Sequence, residues 1–204
     1  MREENTVTVR EKQPQDDEAA AFLVAEAFRD KYSVFANNDW NRAVVIAQDE
    51  MKWRGKCGNF FVAETGGEIA GAIEIIGTDI SGVPYAEHMS IYLKRLGLLN
   101  GLRASFLYSL LSRVVADNEA CVSSLAVAGN ARGRGIARAL LARGDEYALE
   151  TGKKFIVLWV AEDNVRARGV YDAAGYKEAE RSASQQLKKH FGHENWILMR
   201  KEIV

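Results

Sequence analysis

The stretch Val127-Ala128-Gly129-Asn130-Ala131-Arg132-Gly133-Arg134-Gly135-Ile136-Ala137 limits most sharply how this chain can fold. It lies between a short apolar run, Cys121 to Val127, and a helical pattern, Ala137 to Leu149. The order is strand, glycine-rich turn, helix. Such a turn points several backbone N–H groups at one spot, where the positive end of the helix dipole adds its field. Glycines at 133 and 135 let the main chain approach a bulky anion with no Cβ in the way. Arg132 and Arg134 bring charge beside them. The residues predict a seat for a phosphate or pyrophosphate. A dinucleotide fingerprint would need a third glycine, and a P-loop would need Gly-Lys-Ser/Thr; neither is present.

The segments around the turn alternate between helical and extended patterns. Thr6 to Arg10 reads as a first strand, and Glu18 to Tyr32 as a helix preceded by Asp16-Asp17. Asn38 to Trp53 reads as a second helix with Trp40, Val44, Val45, Ala47 and Met51 as its apolar stripe. Asn59 to Glu64 and Glu68 to Ile76 form a hairpin through Thr65-Gly66-Gly67. Gly77 to His88 is irregular. Met89 to Val115 is Leu-rich and helical, with Gly97 and Gly101 as its breaks. Glu119 to Val127 is the strand before the turn, and Thr151-Gly152 caps the helix after it. Lys154 to Val160 reads as a strand buried on both faces. A short helix, Asn164 to Ala173, ends at Gly175. Strands at Tyr176 to Ala183 and Asn195 to Lys201 close the chain, joined by a polar loop holding His190 and His193. The whole, residues 1–204, reads as one α/β domain without linker or repeat.

Charge and composition remove several classes of function. The net charge of −1 argues against a nucleic-acid partner, which would call for a basic surplus. No segment approaches the roughly 18 apolar residues of a membrane span. The N-terminus has no apolar signal core. Cys57 and Cys121 lack metal-ligand spacing, so no metal is expected, and a reduced cytoplasmic setting is the plain reading.

A second stretch gives the turn its context: Asn164-Val-Arg-Ala167-Arg-Gly-Val-Tyr171-Asp-Ala-Ala-Gly175-Tyr176. Together the two resemble the GCN5-related N-acetyltransferase (GNAT) family. Arg132-Gly133-Arg134-Gly135-Ile136-Ala137 fits that family's Arg/Gln-x-x-Gly-x-Gly/Ala signature. Asn164, Ala167, Tyr171 and Gly175-Tyr176 fit its Asn-x-x-Ala-x-x-x-Tyr-x-x-x-Gly-Phe/Tyr motif. The resemblance is strong over residues 119–181 and weaker at the hairpin and N-terminal helices. Residues 77–118 match no part of it. It implies a mixed, mostly antiparallel sheet flanked by helices on both faces.

The resemblance also implies a chemistry: an acetyl group moves from acetyl-CoA to a primary amine, on a small molecule or a peptide, by direct attack in a ternary complex. The pyrophosphate would rest on the amides of residues 133–137. The pantetheine would pair with Leu125, Ala126 and Val127 as an added strand does, and those amides would steady the oxyanion. Asn164 and Ala167 would flank the pantetheine, and Tyr171 would protonate the departing thiolate as a general acid. The family places a carboxylate base on the strand before the turn, and this strand has none between Cys121 and Val127. Period-two alternation puts Glu119, Cys121, Ser123 and Leu125 on one face. Glu119, Ser123 through water, and Glu74 on the hairpin remain alternative bases.

Plainer roles compete at several positions. Tyr171 could be a core tyrosine and Asn164 an ordinary helix cap. Arg166 and Arg168 read as solvated helix charges, His190 and His193 as a solvated loop, and His88 as a surface residue. The segment 91–111 reads as core or as the face of a homodimer. The acceptor would be chosen by 30–55, 77–95 and 184–195, where Asp49, Asp79 and Glu87 lie. A non-catalytic acyl-CoA-binding module of the same fold is the alternative function.

Overall fold

A computed structural model of the chain describes residues 6–54, 59–77, 85–111 and 114–203. The strands are β1 (Thr8–Glu11), β2 (Asn59–Thr65), β3 (Glu68–Ile76), β4 (Glu119–Val127), β5 (Phe155–Ala161), β6 (Lys177–Ala183) and β7 (Asn195–Glu202). The helices are α1 (Asp17–Ala27), α2 (Arg29–Phe35), α3 (Trp40–Arg54), α4 (Tyr85–Leu111), α5 (Ile136–Glu150), α6 (Val165–Ala173) and α7 (Gln185–Phe191). Among the described residues the strands form one sheet in the order β1-β2-β3-β4-β5-β7-β6. Only the central pair, β4 and β5, runs parallel; every other neighbour is antiparallel. The mixed, mostly antiparallel sheet expected from the sequence is therefore present.

Both faces of the sheet are covered because the inner strands are apolar on both sides. Phe60, Val62, Ala72 and Ala126 face a layer built from α1, α2, α3, α4 and α7. Phe61, Ile73, Ile75, Ala120 and Val122 face α5 and α6. The β2–β3 hairpin turns through Gly66 and Gly67, both at positive φ (59° and 79°), as a two-residue primed turn requires.

The helical layer differs from its sequence reading in four places. The first helix is not continuous: it stops at Phe28 (φ −114°, ψ 39°) and restarts as α2. α3 buries Ala43, Ile46, Ala47, Glu50 and Met51, so its inner stripe is rotated from the one marked by its largest apolar residues. Residues 185–191, expected in a polar loop, form α7, because Ser184 caps the helix by accepting a hydrogen bond from Leu187 N and Gly192 ends it at φ 84°. Leu187 and Phe191 then anchor it in the core.

The fourth difference concerns α4. Gly97 does break it (φ 75°, ψ 176°), but Gly101 does not. Gly101 is helical and lies where the second half of α4 presses on the first. A Cβ there would sit 2.7 Å from Leu93 Cα and 2.9 Å from Leu93 N. The second half buries Ala104 and Leu107 while Leu98, Leu99, Leu102 and Phe106 stay exposed, so 91–111 is core along one stripe only. Because the obstruction is backbone, Gly101→Ala should destabilise the fold by about 1–3 kcal/mol. Urea denaturation would read this as a lower midpoint at unchanged slope; a midpoint equal to wild type would refute the close approach.

Candidate functional site

The site begins where two neighbouring strands separate. β3 pairs with β4 along most of its length, from Gly71↔Val127 to Ile76↔Cys121. On its other side β4 meets β5 only through Glu119↔Phe155, Ala120↔Ile156 and Cys121↔Val157. Beyond Val157, β5 pairs with β7 alone. Val122 to Val127 therefore have no strand partner on the β5 side among the described residues. The result is a wedge-shaped gap in mid-sheet, lined on one wall by main-chain donors and acceptors.

A β-bulge lies at the base of this gap. Glu74 is opposite Ser124, yet Ile75 is opposite Val122, so Ser123 is the extra residue. This corrects the alternation read from sequence. Ala120, Val122, Leu125 and Val127 all pack toward α5 and α6. Ala126 packs toward α1. Leu125 thus does not share a face with Cys121, because the inserted residue reverses the phase of the strand. Ser123 is exposed and Ser124 buried.

At the wide end of the gap, the turn is tied back to the sheet. Ala128 N donates to Ala70 O (2.9 Å), and Ala131 N to Ala128 O (3.0 Å). Gly133 and Gly135 sit at φ 79° and 81°, the left-handed region where a side chain is strained. No atom lies within 4 Å of a Cβ built on either, so the outer side of the turn is open. Gly135 precedes α5 and no side chain caps that helix. Its first N–H groups are available to an anion. Arg132 and Arg134 are exposed beside them, with Arg132 Nε 3.4 Å from Val127 O. Ile136 is buried and Ala137 half-buried. Gly71 makes this seat close: a Cβ there would be 2.7 Å from Ile136 Cγ2 and 3.1 Å from Ala126 O.

The second motif forms α6, the helix that follows β5. Asn164 caps α6, its Oδ1 accepting from Ala167 N (3.1 Å). Ala167 and Tyr171 are half-buried against the α5-side core, and the Tyr171 ring lies 6.0 Å from that of Tyr176. Burial pushes the Tyr171 phenol up to about 12.

The three candidate bases occupy different places. Glu119 is half-buried in the part of β4 still paired to β5. Ser123 is exposed on the bulge. Glu74 is buried on the helical-layer side, and its Oε2 accepts from Arg54 Nη1 (2.5 Å).

Glu74 belongs to a buried charged cluster that sequence reading missed. Arg54 Nη2 donates to the Tyr108 hydroxyl (3.2 Å) and lies 3.9 Å from Glu50. Glu50 accepts from Tyr32 (2.8 Å) and from Tyr92, and its Oε1 is 3.2 Å from His88 Nε2. His88 is 1% exposed, stacked near Trp53 and Tyr108, which corrects its reading as a surface residue. The signal lay in α3: Glu50 and Arg54 are four residues apart, on the stripe set by Ala43, Ile46 and Ala47. Burial alone would raise the Glu50 pKa, but the hydrogen bond from His88 and the charges of Arg54 and Lys31 hold it well below the ordinary value. Burial raises the phenols of Tyr32 and Tyr92.

The remaining histidines do not gather. His193 Nδ1 is 2.9 Å from Asp163 Oδ2, and His190 sits in the last turn of α7. Among the described residues no group of three or more His, Cys, Asp or Glu could hold a metal ion, and no helix is long and apolar enough to cross a membrane. Cys57 and Asp79 lie outside the described residues.

Known proteins share this fold. The acetyltransferase (GNAT) family pattern matches residues 23–176. A solved acetyltransferase aligns over 97% of this chain and 100% of its own, with 21% identity and a TM-score of 0.67. The ribosomal-protein-S18-alanine N-acetyltransferase from Escherichia coli aligns over 97% and 94%, with 17% identity and a TM-score of 0.58. A GNAT family acetyltransferase from Elizabethkingia anophelis, solved with acetyl-CoA bound, aligns over 96% and 97%, with 13% identity and a TM-score of 0.58. No curated protein matches the chain.

The cluster generates a prediction about stability. Glu50→Ala should cost about 3–5 kcal/mol, since it strands His88 and weakens the hold on Arg54. A depressed carboxylate pKa contributes stability above the unfolded value, about 4.3 for Glu, and that contribution is lost as pH falls toward the folded value. Wild type should therefore lose more stability than Glu50→Gln between pH 7 and pH 4 in denaturant titrations. Parallel losses would show that Glu50 titrates normally.

Proposed function

Because this chain belongs to the GNAT family of acetyltransferases, we propose that it transfers an acetyl group from acetyl-CoA to a primary amine by direct attack. The observation that supports this best is the wedge between β4 and β5 opening onto an uncapped, glycine-lined helix start. The amides of Gly133 to Ala137, with Arg132 and Arg134, suit a diphosphate. The unpaired edge of Leu125 to Val127 suits a pantetheine arm, which can bond there as an extra strand does. Asn164 and Ala167 face that arm from the start of α6.

In this reading the amine lone pair attacks the thioester carbonyl, a C–N bond forms and the C–S bond breaks. Amides at the bulged part of β4 steady the oxyanion. The thiolate takes its proton from Tyr171, and the phenolate is restored by the second proton that the nitrogen sheds as the amide forms. A phenol held at about 12 stays protonated through the working range, so it is always ready to donate. The ammonium of the incoming amine must first lose a proton. Glu74 is the best supported acceptor of it, because its strand partner Ser124 lies at the base of the wedge. Glu119 lies where β4 and β5 are still joined, and Ser123 could act only through water.

One observation favours a second reading. No carboxylate stands on β4 between Cys121 and Val127, and Glu74 is already engaged by Arg54. A module that binds acyl-CoA without turnover would show both features. Thiol release from acetyl-CoA over a panel of amines separates the two.

Two variants test the assignments. Tyr171→Phe should lower kcat about 10²- to 10⁴-fold with little change in acetyl-CoA affinity, and wild-type activity should show no loss from phenol ionisation below about pH 11, within a unit of that raised value. An unaltered kcat would remove Tyr171 from the mechanism. Gly135→Val forces a β-branched residue to φ 81° on the open side of the turn, so calorimetry should register no acetyl-CoA binding to a folded variant. Normal binding would reject the turn as the diphosphate seat.

A further inference from the structure

We infer that Lys31 reads a carboxylate on the acceptor, so that the amine acetylated here belongs to an amino-acid-like molecule. This deepens the proposed N-acetyl transfer and rests on it. Lys31 projects from α2 into a ring of aromatic faces. Its Nζ is 5.1 Å from the Tyr32 ring centroid and 5.8 Å from those of Phe28, Phe35 and Tyr108. Aromatic faces attract an ammonium but do not neutralise it. Among the described residues no carboxylate comes within ion-pairing distance of Lys31 and no acceptor hydrogen-bonds it. Lys31 meets the carboxylates of Glu50 and Glu74 only through space, so a direct partner for its ammonium is missing.

A second unmet donor lies in the same cluster. Arg54 Nε is buried with no acceptor among the described residues, although both of its Nη atoms are engaged. The fixed anions nearby, Glu50 and Glu74, are already committed to Arg54, His88 and the tyrosines. They also select among ligands: the two cations and two carboxylates of the cluster already cancel, so a dianionic phosphate would be repelled, whereas a zwitterion that sets its carboxylate between Lys31 and Arg54 adds no net charge.

The arrangement fits a zwitterion at both ends. Lys31 and Glu74 are close enough to feel each other's charge. Glu74 is across from Ser124, on the stretch of β4 that β5 does not reach. A molecule whose ammonium approaches Glu74 therefore turns its carboxylate toward Lys31. Burial and the neighbouring Arg54 lower the Lys31 ammonium to about 8, which a bound carboxylate would reverse.

The test compares free amino acids with their carboxamides as acceptors for the full-length protein, reading thiol release. The best acids should exceed their amides about tenfold or more in kcat/KM, the weight of a hydrogen bond to a charged group. Lys31→Met should raise the KM for those acids by the same factor and bring acid and amide to parity, while Lys31→Arg keeps the preference. Amides that match acids in wild type, or a preference that survives in Lys31→Met, would overturn the inference. So would an acetyl adduct found on Lys31 by mass spectrometry without acceptor, since Lys31 would then be an acceptor itself. If no amine is turned over at all, the transferase reading fails by itself, and thermal shifts with the N-acetylated acids and amides then decide. Stabilisation of wild type by the acids alone, absent in Lys31→Met, supports the carboxylate site; no stabilisation by any of them refutes it.

Discussion

The parallel pairing of β4 with β5 lasts for only three residue pairs, and the rest of the site depends on that brevity. Two causes combine. The bulge at Ser123 bends β4 just past the last shared bond. β5 meanwhile continues against β7, which pairs with it from Phe155 to Ala161 and draws it away. A parallel sheet without these features would have satisfied its own edge groups and left nothing for a ligand. The exposed edge is tolerable because it is internal. Walls of the same molecule stand on both sides, so no second chain can add to it as it could to an outer strand.

The two faces of the sheet divide the work. On one face α5 starts almost in contact with β3, because Gly71 offers no Cβ to Ile136. That contact fixes the helix start, and with it the direction of the turn's amides, against the most rigid part of the sheet. On the other face the helical layer encloses charge instead of excluding it. Glu50, Arg54 and Glu74 are all nearly buried, and each is held by named partners. Burying such groups opposes folding unless every partner is in place, so the cluster is a poor way to gain stability. It lies one strand from the wedge, with Glu74 opposite Ser124 on β4.

How much of this was legible depended on whether a feature was local. The turn was readable because two left-handed positions demand glycine and Gly133 and Gly135 supply them. The Asn164 cap and the Gly66-Gly67 hairpin were readable for the same reason, since three or four neighbouring residues decide each. β4 was placed to the residue, yet its facing was not, because a bulge is dictated by the partner strand. The break at Phe28 and the burial of His88 were set by packing between helices distant in sequence. α7 was hidden behind its polar composition: only Leu187 and Phe191 face inward, too few to mark a period.

The cluster on α3 shows how such a feature could be found. Apolar size pointed to Trp40, Val44 and Val45, but α3 turns its small residues inward, where α1 packs closely on Ala43 and Ala47. With the stripe drawn through those alanines, Glu50 and Arg54 fall on it, an anomaly that solvated helices do not produce. A carboxylate and a guanidinium on the buried face of one helix must find partners elsewhere, and here they find them on β3 and α4. The departure from apolar patterning was thus the part of the helix that apolar size could not locate, because charges buried there oppose folding until every partner is in place.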